Sequence, residues 1–171
     1  MQEKVTDIII KTADTYQDSI IIGDMLANIW NEKVKESDYE LIFKYIKLFS
    51  EGHIIAEYDY KPIATSIAFP IEKKPSIEEF NQKHPYDFFS KNGKLYYIHV
   101  IQVLPEFRNK GIGTKIMIRQ IAIAKEKKYN FIVGFSIDKE IDRWEKHGFI
   151  KEGKFGEYKS FGVVKWIEMK M

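Results

Sequence analysis

Apolar positions along this chain switch repeatedly between a period of two and a period near three and a half, and each switch marks an element boundary. Val5 to Lys11 reads as a first strand. Over residues 13–34, Ile20, Ile21, Met25, Leu26, Ile29 and Trp30 recur at three and four, which predicts a helix that Gly23 weakens. Ser37-x-x-Glu40 has the form of a capping box opening a helix toward Gly52, with Ile42, Phe43, Ile46 and Phe49 on one face. His53 to Tyr60 and Ile63 to Phe69 alternate as strands, hinged at Lys61-Pro62.

The second half is richer in strand patterns. Leu95 to Leu104 reads as a long strand, and residues 112–128 as a helix with a broad Ile/Met/Ala face. Phe131 to Phe135 is a short, fully apolar strand, as a central sheet position requires. Asp138 to His147 reads as a short helix stopped at Gly148, with Asp138 as its N-cap. Two more strands follow, near 149–155 and 160–170. Between the third and fourth strands lies a long stretch, Pro70 to Lys94. It carries three prolines, a small capping box at Ser76-x-x-Glu79, and Phe80, Tyr86, Phe88 and Phe89. Connections of this length usually have a task. It is either a flap whose aromatics pack down on the sheet or a lid over an acceptor site.

At 171 residues and 44% hydrophobic, the chain can bury one sizeable core, so a single domain over residues 1–171 is expected. Net charge is only +2, with 27 basic and 25 acidic residues interspersed, which gives a nucleic-acid partner little support. Lys125, Lys127 and Lys128 end a helix, where cations suit the dipole. The absence of cysteine excludes disulfides, thiolate metal sites and a cysteine nucleophile. His53, His84 and His147 lack paired spacing, so no metal is expected. Neither a signal core nor a run of eighteen apolar residues occurs, making a cytoplasmic location the default and a membrane partner unexpected. An exposed edge at the C-terminal strands would allow a homodimer.

The chemistry concentrates at Val103-Leu104-Pro105-Glu106-Phe107-Arg108-Asn109-Lys110-Gly111-Ile112-Gly113, placed between an aromatic, β-branched strand and an apolar helix. Two glycines let the main chain approach phosphate oxygens, and the following helix supplies unpaired N–H groups and the positive end of its dipole. This is not a dinucleotide fingerprint, because Ile116 stands where its third glycine would be. No Gly-x-x-x-x-Gly-Lys-Ser/Thr loop occurs.

With its Val-x-Pro-Glu-x-Arg lead and Arg-x-x-Gly-x-Gly turn, the segment resembles the GNAT superfamily of N-acetyltransferases, which use acetyl-coenzyme A. Trp144-Glu145-Lys146-His147-Gly148-Phe149 matches the family's short helix closing on Gly-Phe. The resemblance is specific over residues 94–150 and architectural elsewhere. It implies a mixed α/β fold: a mostly antiparallel sheet of about seven strands, the fourth and fifth parallel and splayed, flanked by about four helices. It also implies that the coenzyme's pyrophosphate lies on the N–H groups of Arg108, Asn109, Lys110, Gly111, Ile112, Gly113 and Thr114. The pantetheine arm would run beside Ile101 and Val103 like an added strand.

The reaction so implied is direct attack of a primary amine, of a small molecule or a protein N-terminus, on the thioester. Holding an alkyl amine neutral at pH 7 costs about 4 kcal/mol, so a general base matters. His99 is the candidate base; serotonin-type acetyltransferases carry histidines at the positions of Tyr97 and His99. Other members place a glutamate where Tyr97 stands. The alternative for His99 is a half-buried ring bonded to a neighbouring carbonyl. Trp144 occupies the place of the family's usual tyrosine acid, and an indole does not give up its proton at useful pH. Either water assists the thiolate, or Tyr97 or Tyr158 reaches the sulfur, or the chain is a non-catalytic acyl-coenzyme A-binding or interaction module. Trp144 could equally be core, since Ile137, Ile141 and Trp144 keep helical spacing.

Overall fold

A computed structural model describes residues 7–30, 33–157 and 163–171. The elements in chain order begin with β1 (Ile8–Thr12), α1 (Tyr16–Trp30), α2 (Glu36–Leu48), β2 (His53–Tyr58) and β3 (Lys61–Ile71). They continue with α3 (Ile77–Gln82), β4 (Leu95–Val103), α4 (Ile112–Glu126) and β5 (Phe131–Ile137). The last are α5 (Asp138–Glu145), β6 (Ile150–Glu157) and β7 (Val163–Lys170). Five α-helices thus form among the described residues where about four were expected, α3 coming from the insert. Of the expected elements, the start of the first strand at Val5, the start of the last at 160–162, and Tyr158 lie outside the described residues. So do the side chains of Ile29, Trp30 and Asp138. None of the described helices is long and apolar enough to cross a membrane.

Two compact units are formed, Met1–Ala68 with Val100–Ile123, and Phe69–His99 with Ala124–Met171; β3 and β4 run through both. In the first unit the strand order is β1-β2-β3-β4. β1 is antiparallel to β2, with Ile8 opposite Tyr58, and β2 is antiparallel to β3. The hairpin turns at Asp59 and Tyr60, both at positive φ, rather than at Lys61-Pro62. Pro62 instead stands in β3 opposite Glu57, beside a register shift that relaxes the ladder where proline has no N–H to give. At the start of α1, Thr15 and Asp18 bond reciprocally, Thr15 N–H to Asp18 Oδ2 and Asp18 N–H to Thr15 Oγ1, both 3.1 Å. α1 continues through Gly23 because a Cβ there would lie 2.8 Å from the Tyr39 ring of α2; the glycine lets the two helices approach. α2 is capped at Lys35, whose N–H donates to Asp38 at 2.8 Å, and not at Ser37. Fully buried Gln120 of α4 donates to Gly52 O at 3.1 Å and Ser66 Oγ at 2.9 Å, tying the helix to β3.

Strand order in the second unit is β3-β4-β5-β7-β6. β4 and β5 are parallel, and their ladder covers Leu95–Tyr97 against Phe131–Val133. β5 is antiparallel to β7, and β7 to β6. The insert is stitched at its feet: Ile71 bridges Phe89, and Ser90 N–H donates to Pro70 O at 2.9 Å. Its helix α3 has the capping box read from sequence, Ser76 N–H to Glu79 at 2.9 Å and Glu79 N–H to Ser76 at 3.2 Å. Phe80, 1% exposed, stacks on Phe88 and meets Phe135, Tyr97 and Trp166 edge-on at 5.0–6.2 Å. Lys74 pairs with Glu152 and with Glu168, the latter at 2.6 Å. Phe80 and Tyr86 are therefore part of the sheet's packing.

Candidate functional site

The turn from β4 into α4 is built by local bonds. Phe107 N–H donates to Leu104 O and Arg108 N–H to Pro105 O, forming a single 3-10 turn after Pro105. The backbone then reverses through Asn109 at φ 60° and Gly111 at φ 78°. A left-handed φ costs a non-glycine residue about 1–2 kcal/mol, which accounts for glycine at 111. A Cβ built on Gly111 meets nothing within 4 Å, so the space in front of the turn is open. The first helical bond of α4 is Lys115 N–H to Gly111 O; among the described residues the N–H groups of Gly111, Ile112, Gly113 and Thr114 make no backbone bond. Those four orphan donors, at the positive end of a fifteen-residue helix, suit an anion.

Gly113 serves closeness rather than conformation. Its Cβ position lies 3.7 Å from Val103 Cγ2 and 4.0 Å from Ile101 Cγ2, so the helix start sits directly over that face of β4. Arg108 turns its Nε back to Val103 O at 3.1 Å. The guanidinium braces the strand end against the turn. Phe107 packs on Tyr58 at 6.0 Å, and Lys110 Nζ lies 5.4 Å from the Phe107 ring centroid. Sequence reading missed this wedge, whose only signal is the aromatic at 107.

Leu104 N–H donates to Ile63 O on the β3 side. Alternation along a strand then turns the N–H and C=O of Val103 toward the other edge, and those of Ile101 with them. The ladder with β5 covers only Leu95–Tyr97, so it does not reach that stretch. This is the geometry in which an extended ligand can pair with backbone.

His99 and Tyr97 belong to the second unit. Tyr97 is fully buried and His99 half-buried, with Tyr97 Oη and His99 Nδ1 3.1 Å apart. Phe69, absent from the residues expected at the site, lies 6.4 Å from the His99 ring and 5.4 Å from Tyr97. Trp144 of α5 packs edge-on against Phe149 at 5.0 Å, so helix and Gly-Phe closure hold each other. Gly148 takes φ 90°, as the end of that helix requires. Ile137, not Asp138, is the α5 N-cap.

Of the remaining histidines, His53 is fully buried with Nδ1 2.9 Å from Phe49 O, and burial holds its pKa down at about 4. Two of the insert's carboxylates serve as caps: Glu79 takes Ser76 N–H, and Asp87 takes His84 N–H at 2.9 Å. Among the described residues no group of three or more His, Cys, Asp or Glu is arranged to hold a metal ion.

Three solved structures illustrate the fold. The loading GNATL domain of CurA from Lyngbya majuscula aligns with TM-score 0.72 at 12% identity, over 96% of this chain and 98% of that one. Ard1 from Thermoplasma volcanium gives 0.71 at 12%, over 96% and 97%. Arabidopsis thaliana Naa50, solved with the bisubstrate analogue CoA-Ac-MVNAL, gives 0.68 at 13%, over 96% and 99%. At these identities the likeness concerns the fold alone. No curated protein matches the sequence. The model of the acetyltransferase (GNAT) family matches residues 21–149, and with the parallel β4–β5 pair and the glycine turn into α4 in place, this chain belongs to that family.

Proposed function

We propose that this chain transfers an acetyl group from acetyl-coenzyme A to a primary amine, on a small molecule or a protein N-terminus, by direct attack within a ternary complex. The observation that carries the reading is the start of α4: N–H groups from Gly111 to Thr114 without a backbone bond, next to a glycine held at φ 78° whose side-chain position is open. Arg108 to Thr114 would hold the pyrophosphate, chiefly through main chain. Ile101 and Val103 would pair with the pantetheine arm along the stretch of β4 beyond its ladder with β5, beside the Arg108 Nε bond to Val103 O.

Acetyl-coenzyme A supplies the thioester. His99 takes the proton that the amine loses as its nitrogen bonds to the acyl carbon, and backbone N–H groups of β4 hold the developing oxyanion. The carbon–sulfur bond then breaks, and the thiolate leaves with water as its proton source, since Trp144 has none to give. That Naa50 is described with an acetylated peptide joined to coenzyme A favours including peptides among the acceptors tested.

The test is release of free thiol from acetyl-coenzyme A across polyamines, arylalkylamines, amino acids and short peptides. Amine-dependent release is expected. Tight coenzyme A binding with no release for any amine would replace the reading with a non-catalytic acyl-coenzyme A-binding module, which Trp144 favours. No binding at all would remove both.

A further inference from the structure

We infer that an open cavity between the end of α4 and the end of β7 binds a nucleoside polyphosphate, with its phosphates on Lys125, Lys128 and Lys170 and its nucleobase against Tyr129. The cavity belongs wholly to the second unit, whereas the Gly111–Thr114 donors belong to the first, so the inference goes beyond the transfer reaction and does not depend on it.

The cavity measures about 580 Å³, within the range of roughly 300–1,000 Å³ that small-molecule sites occupy. Its rim is set by how α4 ends. Tyr129 N–H donates to Ala124 O and Lys128 N–H to Lys125 O, both at 3.1 Å, which is a Schellman closure. Lys128 takes the left-handed place in it, at φ 58°, where glycine is the unstrained residue. Asn130 O then accepts from Met171 N–H at 3.0 Å, and that bond brings the end of β7, with Lys170, to the same rim. All three lysines are exposed, and among the described residues none of their ammonium groups has an ion-pair partner. No acidic side chain lines the cavity; even counting a carboxylate on Met171, positive charge predominates. The helix dipole accounts for cations at the end of α4, but not for placing one where glycine is the relaxed choice. Nor does it account for Lys170, which comes from β7. Three cations around one hollow repel one another, and a bound polyanion relieves that repulsion.

A phosphate group alone would leave much of this space unfilled. The rest of the lining is largely aromatic and thioether: Tyr129, Met169 and Met171. Tyr129 rests on fully buried Tyr96, ring centroids 5.2 Å apart, which seats it firmly. An aromatic ring beside a cationic rim suits a nucleotide, because every nucleobase has a face to stack.

The test is titration calorimetry with metal-free ATP and with inorganic triphosphate. Wild type is expected to bind ATP at least tenfold more tightly than triphosphate. Lys125→Gln/Lys170→Gln should weaken ATP at least tenfold, since each charged contact is lost outright, and should leave coenzyme A binding unchanged. Lys44→Gln/Lys47→Gln removes two exposed charges from α2 instead and should bind ATP as wild type does. Equal weakening in both double variants would mean unspecific charge attraction and overturns the inference. So does ATP binding that Gly111→Val abolishes and the Lys125/Lys170 variant keeps, because the nucleotide would then sit at the coenzyme turn. Triphosphate binding as tightly as ATP overturns the nucleobase part, and absence of ATP binding overturns the whole. Failure of the coenzyme reading shows separately, as wild type that binds no coenzyme A.

Discussion

Gly111 and Gly113 stand two residues apart and answer to different constraints, so their substitution separates ligand effects from folding effects. Gly111 needs its positive φ, and Gly111→Val should cost about 1–2 kcal/mol of stability besides obstructing the turn. At Gly113 an added Cβ makes only an ordinary 3.7 Å contact with Val103, and alanine suits a helix better than glycine by roughly 1 kcal/mol. Gly113→Ala is therefore expected to melt no lower than wild type and to keep its coenzyme A affinity, whereas Gly111→Val should lose at least tenfold by titration calorimetry; unchanged affinity in Gly111→Val would show that no phosphate approaches there. His53 offers a second residue-scale prediction. Burial, opposed by the bond to Phe49 O, leaves it neutral in the folded state down to about pH 4, against an ordinary value of 6.5. Between those values the unfolded chain holds the extra proton. Stability is thus complete above pH 6.5 and lost as pH falls toward 4, by up to about 3 kcal/mol. Urea titrations at pH 4, 5, 6 and 7 should show that slope, and His53→Gln should flatten it; a variant with the wild-type slope would mean that His53 is not the group responsible.

Element by element, what decides stability is where partners lie along the chain. Phe80 of α3 gathers Phe88, Tyr97, Phe135 and Trp166 about itself, so Phe80→Ala should cost roughly 3–5 kcal/mol in urea unfolding. A cost under 1 kcal/mol would mean that the insert can leave without disturbing the sheet. None of those contacts was legible in the sequence, which showed the aromatics but not what they meet; Phe80 and Trp166 are separated by most of the second half of the chain. What was legible is local. The strand, turn and helix around Gly111 carry their whole signal within a short window, as does the Ser76–Glu79 capping box. Misreadings arose where two local signals competed. Pro62 looked like a break, yet a register shift accommodates it within β3, and Asp59-Tyr60 makes the turn with a tyrosine that left-handed backbone does not favour. Ser37-x-x-Glu40 matched a capping pattern, but Asp38 reaches Lys35 N–H and starts the helix earlier. The box at Thr15 and Asp18 escaped notice because aspartate replaces the usual glutamate. Asp18 is 5% exposed; burial opposes its ionisation, but the Asp14 and Thr15 donors and Lys11 outweigh that and hold its pKa low.

For the molecule as a whole, the chain's path sets the cooperativity. Each unit takes strands from both β3 and β4, so neither keeps its sheet once those two strands melt. Thermal unfolding should accordingly be a single calorimetric transition, with the van't Hoff enthalpy matching the calorimetric one. The candidate coenzyme site gives this a sharper form, because the Gly111–Thr114 donors belong wholly to the first unit. A ligand that binds only folded protein, present at a hundred times its Kd, adds about 2.7 kcal/mol. For a chain of this length each kcal/mol raises the midpoint by about 2–4 °C, so coenzyme A should move it by roughly 5–10 °C. If the shared strands couple the units, the entire transition moves, and probes in the second unit, such as the fluorescence of Trp166, report the same midpoint as the heat signal. Two transitions, of which coenzyme A shifts only one, would show that β3 and β4 can part at Ala68/Phe69 and His99/Val100. The His99–Tyr97 pair would then melt independently of the donors that hold the coenzyme, and acceptor chemistry would be lost at a lower temperature than coenzyme binding.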